Sequence, residues 1–383
     1  MSRIPLMNRP TRFTAVFVFL VAAVVARAGT AAFEWQTATP EKYGIPAAKL
    51  EDFRAELARH GTTAMLVSID DHIVLEWYGP GASAKKWHYS ASMAKALVGG
   101  MSVAVALSDG RLSLDDPAAK FVPEWRTDPV KARITLRELG SHTSGLDDAE
   151  AHDTLHAKLA GWQGAFWKRL PPPRDPFTLS RDVVPLRFTP GTRMFYSNPG
   201  IAMLAYATTA ALQDAPQKDL RTLLRERVMR PIGVPDDEWD VGYQQTMKVD
   251  GLPLVAAWGG GAYTARAAAR IGRLVLREGD WQGTQVIKPE AVRAVVRDAG
   301  TPGDGAIGWW SNNDGTISTM PRDAYWGAGA EHQVTLVIPS LQLILVRNGG
   351  DLDPNLGFDP ALRQDLFDPF MAAIAAYRNR KAE

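Results

Sequence analysis

Apolar positions follow two different periods along this chain, and the changes of period mark out its parts. Residues 47–60 carry apolar side chains at helical spacing. Two strongly apolar, β-prone runs follow, 64–69 and 73–78, separated by the polar Asp70-Asp71-His72. Two such runs around a short polar turn predict a β-hairpin. The pattern returns near the end, where 332–338 and 341–347 flank Pro339-Ser340 and an amphipathic stretch follows from about 360 to 377. Strands at both ends, each with a helix outside them, predict one antiparallel sheet assembled from both ends of the chain.

The middle has helical periodicity. Residues 91–108 are apolar almost all round, which predicts a buried helix, stopped by Asp109-Gly110. Further helices are predicted over 133–139, 199–213, 219–230 and 264–278, the last with Thr264 as N-cap and Gly279 as stop. Asn198 before Pro199 reads as another N-cap. Pro171-Pro172-Pro173 marks a loop, and no repeat is present. The architecture expected is α/β (α+β): an antiparallel sheet flanked by helices, built from about 33–90 and 256–383, with an inserted all-helical part over about 91–255.

The chain has 383 residues, 46% of them hydrophobic, enough for a large core. A net charge of +1 without a basic run in the body argues against a nucleic-acid partner. Residues 1–28 have the form of an export signal: Arg3, Arg9 and Arg12, then an uncharged apolar run over 13–26, then Ala26-Arg27-Ala28 before Gly29. The run is short for a membrane span, which needs about 20 apolar residues. A cleaved signal and a periplasmic or secreted catalytic part at 33–383 are expected, with no stable membrane insertion after cleavage; an uncleaved anchor is the competing reading. With no cysteine there is neither a disulfide nor a lipidation site of the lipoprotein type.

The candidate chemistry lies in Ser92-Met93-Ala94-Lys95 and Tyr196-Ser197-Asn198. A serine attacks a carbonyl only if something takes its proton. Lys95 is three residues on, one helical turn away on the same face. Its neighbours are Ala, Met, Leu, Val and Gly, so it is desolvated, which lowers an amine pKa toward that of a useful base. A lysine snorkelling from the helix end is the alternative. Tyr196 could complete a relay without histidine, and a neighbouring ammonium would favour its phenolate. No His/Asp cluster has metal-ligand spacing, so no metal or other cofactor is expected.

These segments, with Leu114-Asp115-Asp116-Pro117, Ser141-His142-Thr143-Ser144-Gly145-Leu146, Pro190-Gly191-Thr192 and Gly259-Gly260-Gly261, resemble the serine β-lactamase and penicillin-recognising superfamily. The class C-like branch is nearest, with its family VIII esterases and 6-aminohexanoate-dimer hydrolases. The resemblance implies a serine nucleophile at Ser92, an activating Lys95, and Tyr196 as general base and then acid. It implies that Asn198 orients Lys95 or bonds the substrate amide, and that the His142 segment is structural. It places a Lys-Thr-Gly-like strand at Gly327-Ala328-Gly329, after Trp326, with no lysine. The backbone amides of Ser92 and Ala330 would form an oxyanion hole, and His332 either borders the site or merely occupies a strand. Any one tryptophan is more often core, but if Trp309, Trp310 and Trp326 line the cleft the substrate has an apolar portion, and Arg322 or His332 could supply the missing cation from nearby.

The function expected is an exported serine hydrolase that cleaves small esters or amides through an acyl-enzyme. A class C-like β-lactamase or D-amino-acid peptidase is the nearest alternative. A catalytically silent envelope-binding protein on the same fold is the alternative from another class.

Overall fold

Branched and aliphatic residues repeated along the terminal segments build a sheet that is buried on both faces. The computed structural model describes Met1 and residues 33–151 and 154–382; the expected export signal, but for Met1, lies outside the described residues. The sheet strands are β1 (Gln36–Thr37), β2 (Thr62–Ile69), β3 (His72–Tyr78), β4 (Trp310–Ser311), β5 (Tyr325–Gly329), β6 (Gln333–Ile338) and β7 (Leu343–Gly349). Their spatial order is β1-β3-β2-β7-β6-β5-β4. β1 pairs with β3 in parallel, and the other neighbours are antiparallel. The two ends meet at β2 and β7, where Val67 lies opposite Leu345. This is the two-ended antiparallel sheet that the periodicity predicts.

Side-chain alternation sorts the strands between two cores. Met65, Val67 and Ile69 pack outward with helix α1 (Ala47–Arg59) and the helical segments after residue 357, while Leu66 packs inward. The helices α2 (Met101–Ser108), α3 (Asn198–Ala211), α4 (Ala265–Leu276) and α5 (Pro289–Val296) belong to the inner core. α4 lies against β2, β6 and β7. It approaches closely because position 272 is glycine: a Cβ there would sit 3.0 Å from Ile344. With both faces covered, the strands read as near-continuous apolar runs, and each buried Val or Leu contributes about 1.5–3 kcal/mol.

Several predicted boundaries move for local reasons. The helix expected from 91 begins later, because Ala91 ends a strand at φ 45° and a π-helical segment Lys95–Gly100 leads into α2. Ser197 caps α3 in place of Asn198, its Oγ accepting the Gly200 N–H at 3.0 Å. Thr264 caps α4 as predicted, its Oγ1 accepting the Ala267 N–H at 3.1 Å. The 133–139 helix shrinks to Leu136–Gly140, held by a Thr135/Glu138 capping box. The 219–230 helix is α-helical over Leu220–Leu224 and π-helical over Arg225–Met229. Strand β6 starts after His332, because Glu331 and His332 both adopt positive φ. The last helical stretch is interrupted at Ile374 before Ala375–Ala382.

Candidate active site

Ser92 sits where a strand turns sharply into a helix. The strand His88–Ala91 pairs with Gly261–Tyr263 and ends at Ala91 in the left-handed region, a conformation that costs a non-glycine residue roughly 1–2 kcal/mol. The turn closes through Met93 N–H to Ser90 O at 3.0 Å and Lys95 N–H to Ser92 O at 2.9 Å. A Cβ at position 261 would lie 2.5 Å from Ser90 Oγ, so only glycine lets the partner strand approach the turn.

Lys95, 3% exposed, donates to Asn198 Oδ1 at 2.7 Å, Trp258 O at 2.8 Å and Ser92 Oγ at 3.1 Å. Two of these partners can only accept. The third is a hydroxyl that can donate or accept, so Lys95 fits the site as ammonium or as amine. Burial pushes its pKa down to about 7 against the pull of Glu150 and Asp148. Asn198 is fully engaged: its Nδ2 donates to Asp148 Oδ1 at 3.0 Å and to Glu150 Oε1 at 3.3 Å. Its side chain is thus bonded to Lys95 on one side and to both acids on the other, the arrangement expected of a residue that orients Lys95. Asp148 Oδ1 also accepts the Asn198 N–H at 2.8 Å, and burial pushes that carboxyl above its usual range. Asp148 and Glu150 escape the sequence reading. Their signal is the acidic run Asp147-Asp148-Ala149-Glu150 directly after the Ser141–Leu146 segment.

Tyr196 donates its hydroxyl to Ser92 Oγ at 2.8 Å, and Lys95 Nζ lies 4.6 Å from the centre of its ring. Burial, then Glu150, push its pKa well above 10. Desolvation and the nearby carboxylates thus work against the phenolate that a neighbouring ammonium would favour.

His142 is buried behind Tyr196. Its Nδ1 accepts the Ser197 N–H at 3.1 Å, and its ring lies 4.7 Å from that of Tyr196 and 5.8 Å from that of Trp310. Burial, then the Lys95 ammonium, push the imidazole down to about 3, so it is neutral at physiological pH. It holds Tyr196 in place and does not touch Ser92 Oγ. Replacing His142 by Ala should lower the unfolding free energy by about 2 kcal/mol or more, as for other large-to-small core changes, while labelling by a serine-directed phosphonate persists. A well-folded His142→Ala protein that no longer reacts would assign His142 to the relay.

Strand β5 runs beside Ser92 with its glycines inward. A Cβ on Gly327 would meet Ala96 Cβ at 2.8 Å, and one on Gly329 would lie 2.9 Å from Ser92 N. Ala330 is the next residue and is exposed. No hydrogen bond among the described residues takes up the Ser92 or Ala330 amide. Trp326 and Ala328 alternate to the other face and join the outer core, with Trp326 against Phe367 at 5.3 Å. Their side chains therefore do not line the cleft, a correction that follows from the two-residue period of a strand. Trp309 is buried in the inner core against Tyr325, and only Trp310 of the three tryptophans reaches the site's surroundings, through His142. His332 turns away as well. It stacks on Phe358 at 4.6 Å, and its Nδ1 accepts the Leu352 N–H at 3.2 Å. Arg322 donates to Asn313 O at 3.2 Å. Neither residue contacts the Ser92 cluster, so neither replaces the missing cation.

A cleft of about 840 Å³ opens beside Tyr196, lined among others by Asp148, Glu150, Leu155, His156 and Phe195. Among the described residues no lysine or arginine lines it. Among the described residues no group of His, Cys, Asp and Glu is arranged to hold a metal ion, and no helix is long and apolar enough to cross a membrane.

The sequence model of the Beta-lactamase family matches residues 47–355. A 6-aminohexanoate-dimer hydrolase of Paenarthrobacter ureafaciens is 25% identical over 300 residues, 74% of this chain and 69% of its own. An uncharacterised protein of Mycobacterium tuberculosis is 28% identical over 249 residues, and the match spans 54% of this chain and only 58% of that protein. Among solved structures, a family VIII carboxylesterase has a TM-score of 0.61 at 16% identity, over 88% of this chain and 99% of that one. A penicillin-binding protein homologue from Caulobacter crescentus has a TM-score of 0.63 at 16% identity, with the same coverage. Ser92, Lys95 and Tyr196 all fall inside the matched span, on the fold that these structures share, and the chain belongs to the Beta-lactamase family.

Proposed function

We propose that the protein is a serine hydrolase that cleaves small uncharged esters or amides through an acyl-enzyme on Ser92. One observation carries this reading: Tyr196 Oη and Lys95 Nζ converge on Ser92 Oγ at 2.8 and 3.1 Å. Lys95 as neutral amine takes the Ser92 proton, and Oγ forms a bond to the substrate carbonyl carbon. The developing oxyanion is received by the free amides of Ser92 and Ala330. As the bond to the leaving oxygen or nitrogen breaks, Tyr196 gives that atom a proton and recovers one from Lys95. Water then attacks the acyl carbon, with the same groups handling its proton, and the acid and free Ser92 are released. The bonds from Asn198 and Trp258 hold Lys95 through both steps, so no rearrangement precedes transfer.

The lining of the cleft supports the substrate class. Gly327-Ala328-Gly329 supplies no cation, and Asp148 and Glu150 face the space beside Tyr196. A substrate carboxylate would meet acidic groups and lack a charge-assisted hydrogen bond, worth about 1.5–3 kcal/mol. The similar proteins include a carboxylesterase and a 6-aminohexanoate-dimer hydrolase, one named for an ester and one for an amide substrate, which supports ester or amide cleavage. On one preparation, kcat/KM for p-nitrophenyl butyrate should exceed that for nitrocefin by about tenfold or more. A nitrocefin value above the ester value would make β-lactam hydrolysis the primary activity.

A further inference from the structure

Arg347 lies on β7 and is completely buried, yet the proton transfers at Ser92 make no use of it. Each of its five N–H donors meets an oxygen. Nε donates to Thr62 Oγ1 at 2.9 Å, Nη1 to the carbonyls of Glu331 and His332 at 2.6 and 3.0 Å, and Nη2 to those of His60 and Gly350 at 3.3 and 2.7 Å. None of these acceptors is a carboxylate. Burial pushes the arginine's pKa down to about 10, so at neutral pH it is still a guanidinium with every donor in place. A buried cation is costly unless it is fully bonded, and this one is bonded only to neutral groups.

The bonds tie three segments together: the start of β2 through His60 and Thr62, the end of β7 through Gly350, and the turn between β5 and β6 through Glu331 and His332. Glu331 and His332 have φ of 61° and 53°, two consecutive non-glycine residues in the left-handed region. Such backbone persists only where its surroundings impose it, and Arg347 Nη1 holds the carbonyl of each. The first residue of the same turn is Ala330. Its neighbour Gly329 is wedged against the nucleophile turn: a Cβ there would lie 2.2 Å from Ser90 O and 2.9 Å from Ser92 N. The segment that Arg347 clamps is therefore the one that carries the second amide of the oxyanion hole.

We propose that Arg347 is a positioning residue for the oxyanion hole: by holding both carbonyls of the Glu331–His332 turn against β2 and β7, it fixes the direction of the Ala330 N–H beside Ser92. The proposal rests on the hydrolase reading. An arginine is required because its planar fork reaches three segments at once, whereas a lysine offers three donors from a single point. Without the clamp the left-handed pair relaxes and the Ala330 amide turns away from the oxyanion, while Ser92, Lys95 and Tyr196 keep their own bonds, none of which involves this turn.

Hydrolysis of p-nitrophenyl butyrate by the full chain and by Arg347→Lys, with inhibition of each by propyl trifluoromethyl ketone, tests this. In the variant kcat should fall by about 10²-fold, the size of a lost oxyanion-hole donor, with KM nearly unchanged. The ketone adds Ser92 Oγ to its carbonyl carbon and leaves an oxyanion in the hole, so its affinity should fall by a similar factor of about 10². A merely structural role would lower the folded fraction and hence the apparent kcat, but the inhibition constant of the molecules that remain folded would not move. An inhibition constant equal to that of the unchanged chain therefore overturns the proposal, whatever happens to kcat. An unchanged chain that hydrolyses no ester removes the hydrolase reading and this proposal with it, so the two failures are told apart on that sample. Should Arg347→Lys not fold, Thr62→Val, which keeps the shape and removes one acceptor, decides: weaker ketone inhibition upholds the role and unaltered inhibition overturns it.

Discussion

Replacing Ser92 by Ala is expected to abolish covalent labelling by a fluorophosphonate and to lower turnover of a p-nitrophenyl ester by about 10⁴–10⁶-fold. The methyl group keeps the helix start intact, because Ser92 caps nothing: the turn is closed by backbone bonds from Met93 and Lys95. What disappears is the one oxygen on which Tyr196 and Lys95 converge. Because these groups act as a unit, adding Tyr196→Phe or Lys95→Met to Ser92→Ala should cost little more, whereas each alone should cost a large share of the whole. Intact-mass spectra before and after labelling read the adduct directly. An adduct that forms on the Ser92→Ala chain, or turnover that survives, would place the nucleophile elsewhere and leave a catalytically silent protein or a different site as the explanation.

The pH profile should be set by Lys95. With its pKa lowered to about 7 by burial, the amine is protonated below that value and cannot take the Ser92 proton. kcat/KM for an uncharged ester should therefore fall about tenfold per unit on the acid side and level off above the pKa. The sign at Glu150 follows from its charge. Glu150 favours the ammonium and raises the Lys95 pKa, so Glu150→Gln should move the acid limb to lower pH. Lys95→Met should lower kcat/KM by about 10²–10⁴-fold and erase the limb. The limb staying in Lys95→Met, or moving upward in Glu150→Gln, would show that another group is the base.

The sheet and the Ser92–Lys95 pair are legible in the sequence because each rests on a local pattern, whereas Tyr196 is placed by the resemblance of its motif to the family. Apolar, β-prone runs around short turns reveal β2, β3, β6 and β7, and one helical turn separates Ser92 from Lys95. What remained hidden depends on phase or on contacts between distant segments. Trp326 sits beside the glycines of the cleft strand, yet strand parity turns it to Phe367 in the outer core. Left-handed backbone at Glu331 and His332 ends that regularity and carries His332 toward Leu352 and Phe358. Asp148 and Glu150 become part of the site only because Asn198 reaches them across the fold. Ser197 outcompetes Asn198 as the cap of α3 because Asn198 is held by Lys95 and these two acids.

The pairing of β2 with β7 also sets an order of events in the life of the chain. Val67 meets Leu345, and Met65 meets Arg347, so the N-terminal hairpin has no partner on its β2 side until nearly the whole polypeptide has been made. Until then β2 is an open apolar edge, the kind of surface on which chains aggregate. Loop closure over so long a separation is slow compared with local helix formation. Completion of the sheet should therefore be the late step of folding, and shortening the chain before β7 should leave an insoluble product even with every residue of the Ser92 cluster still in place.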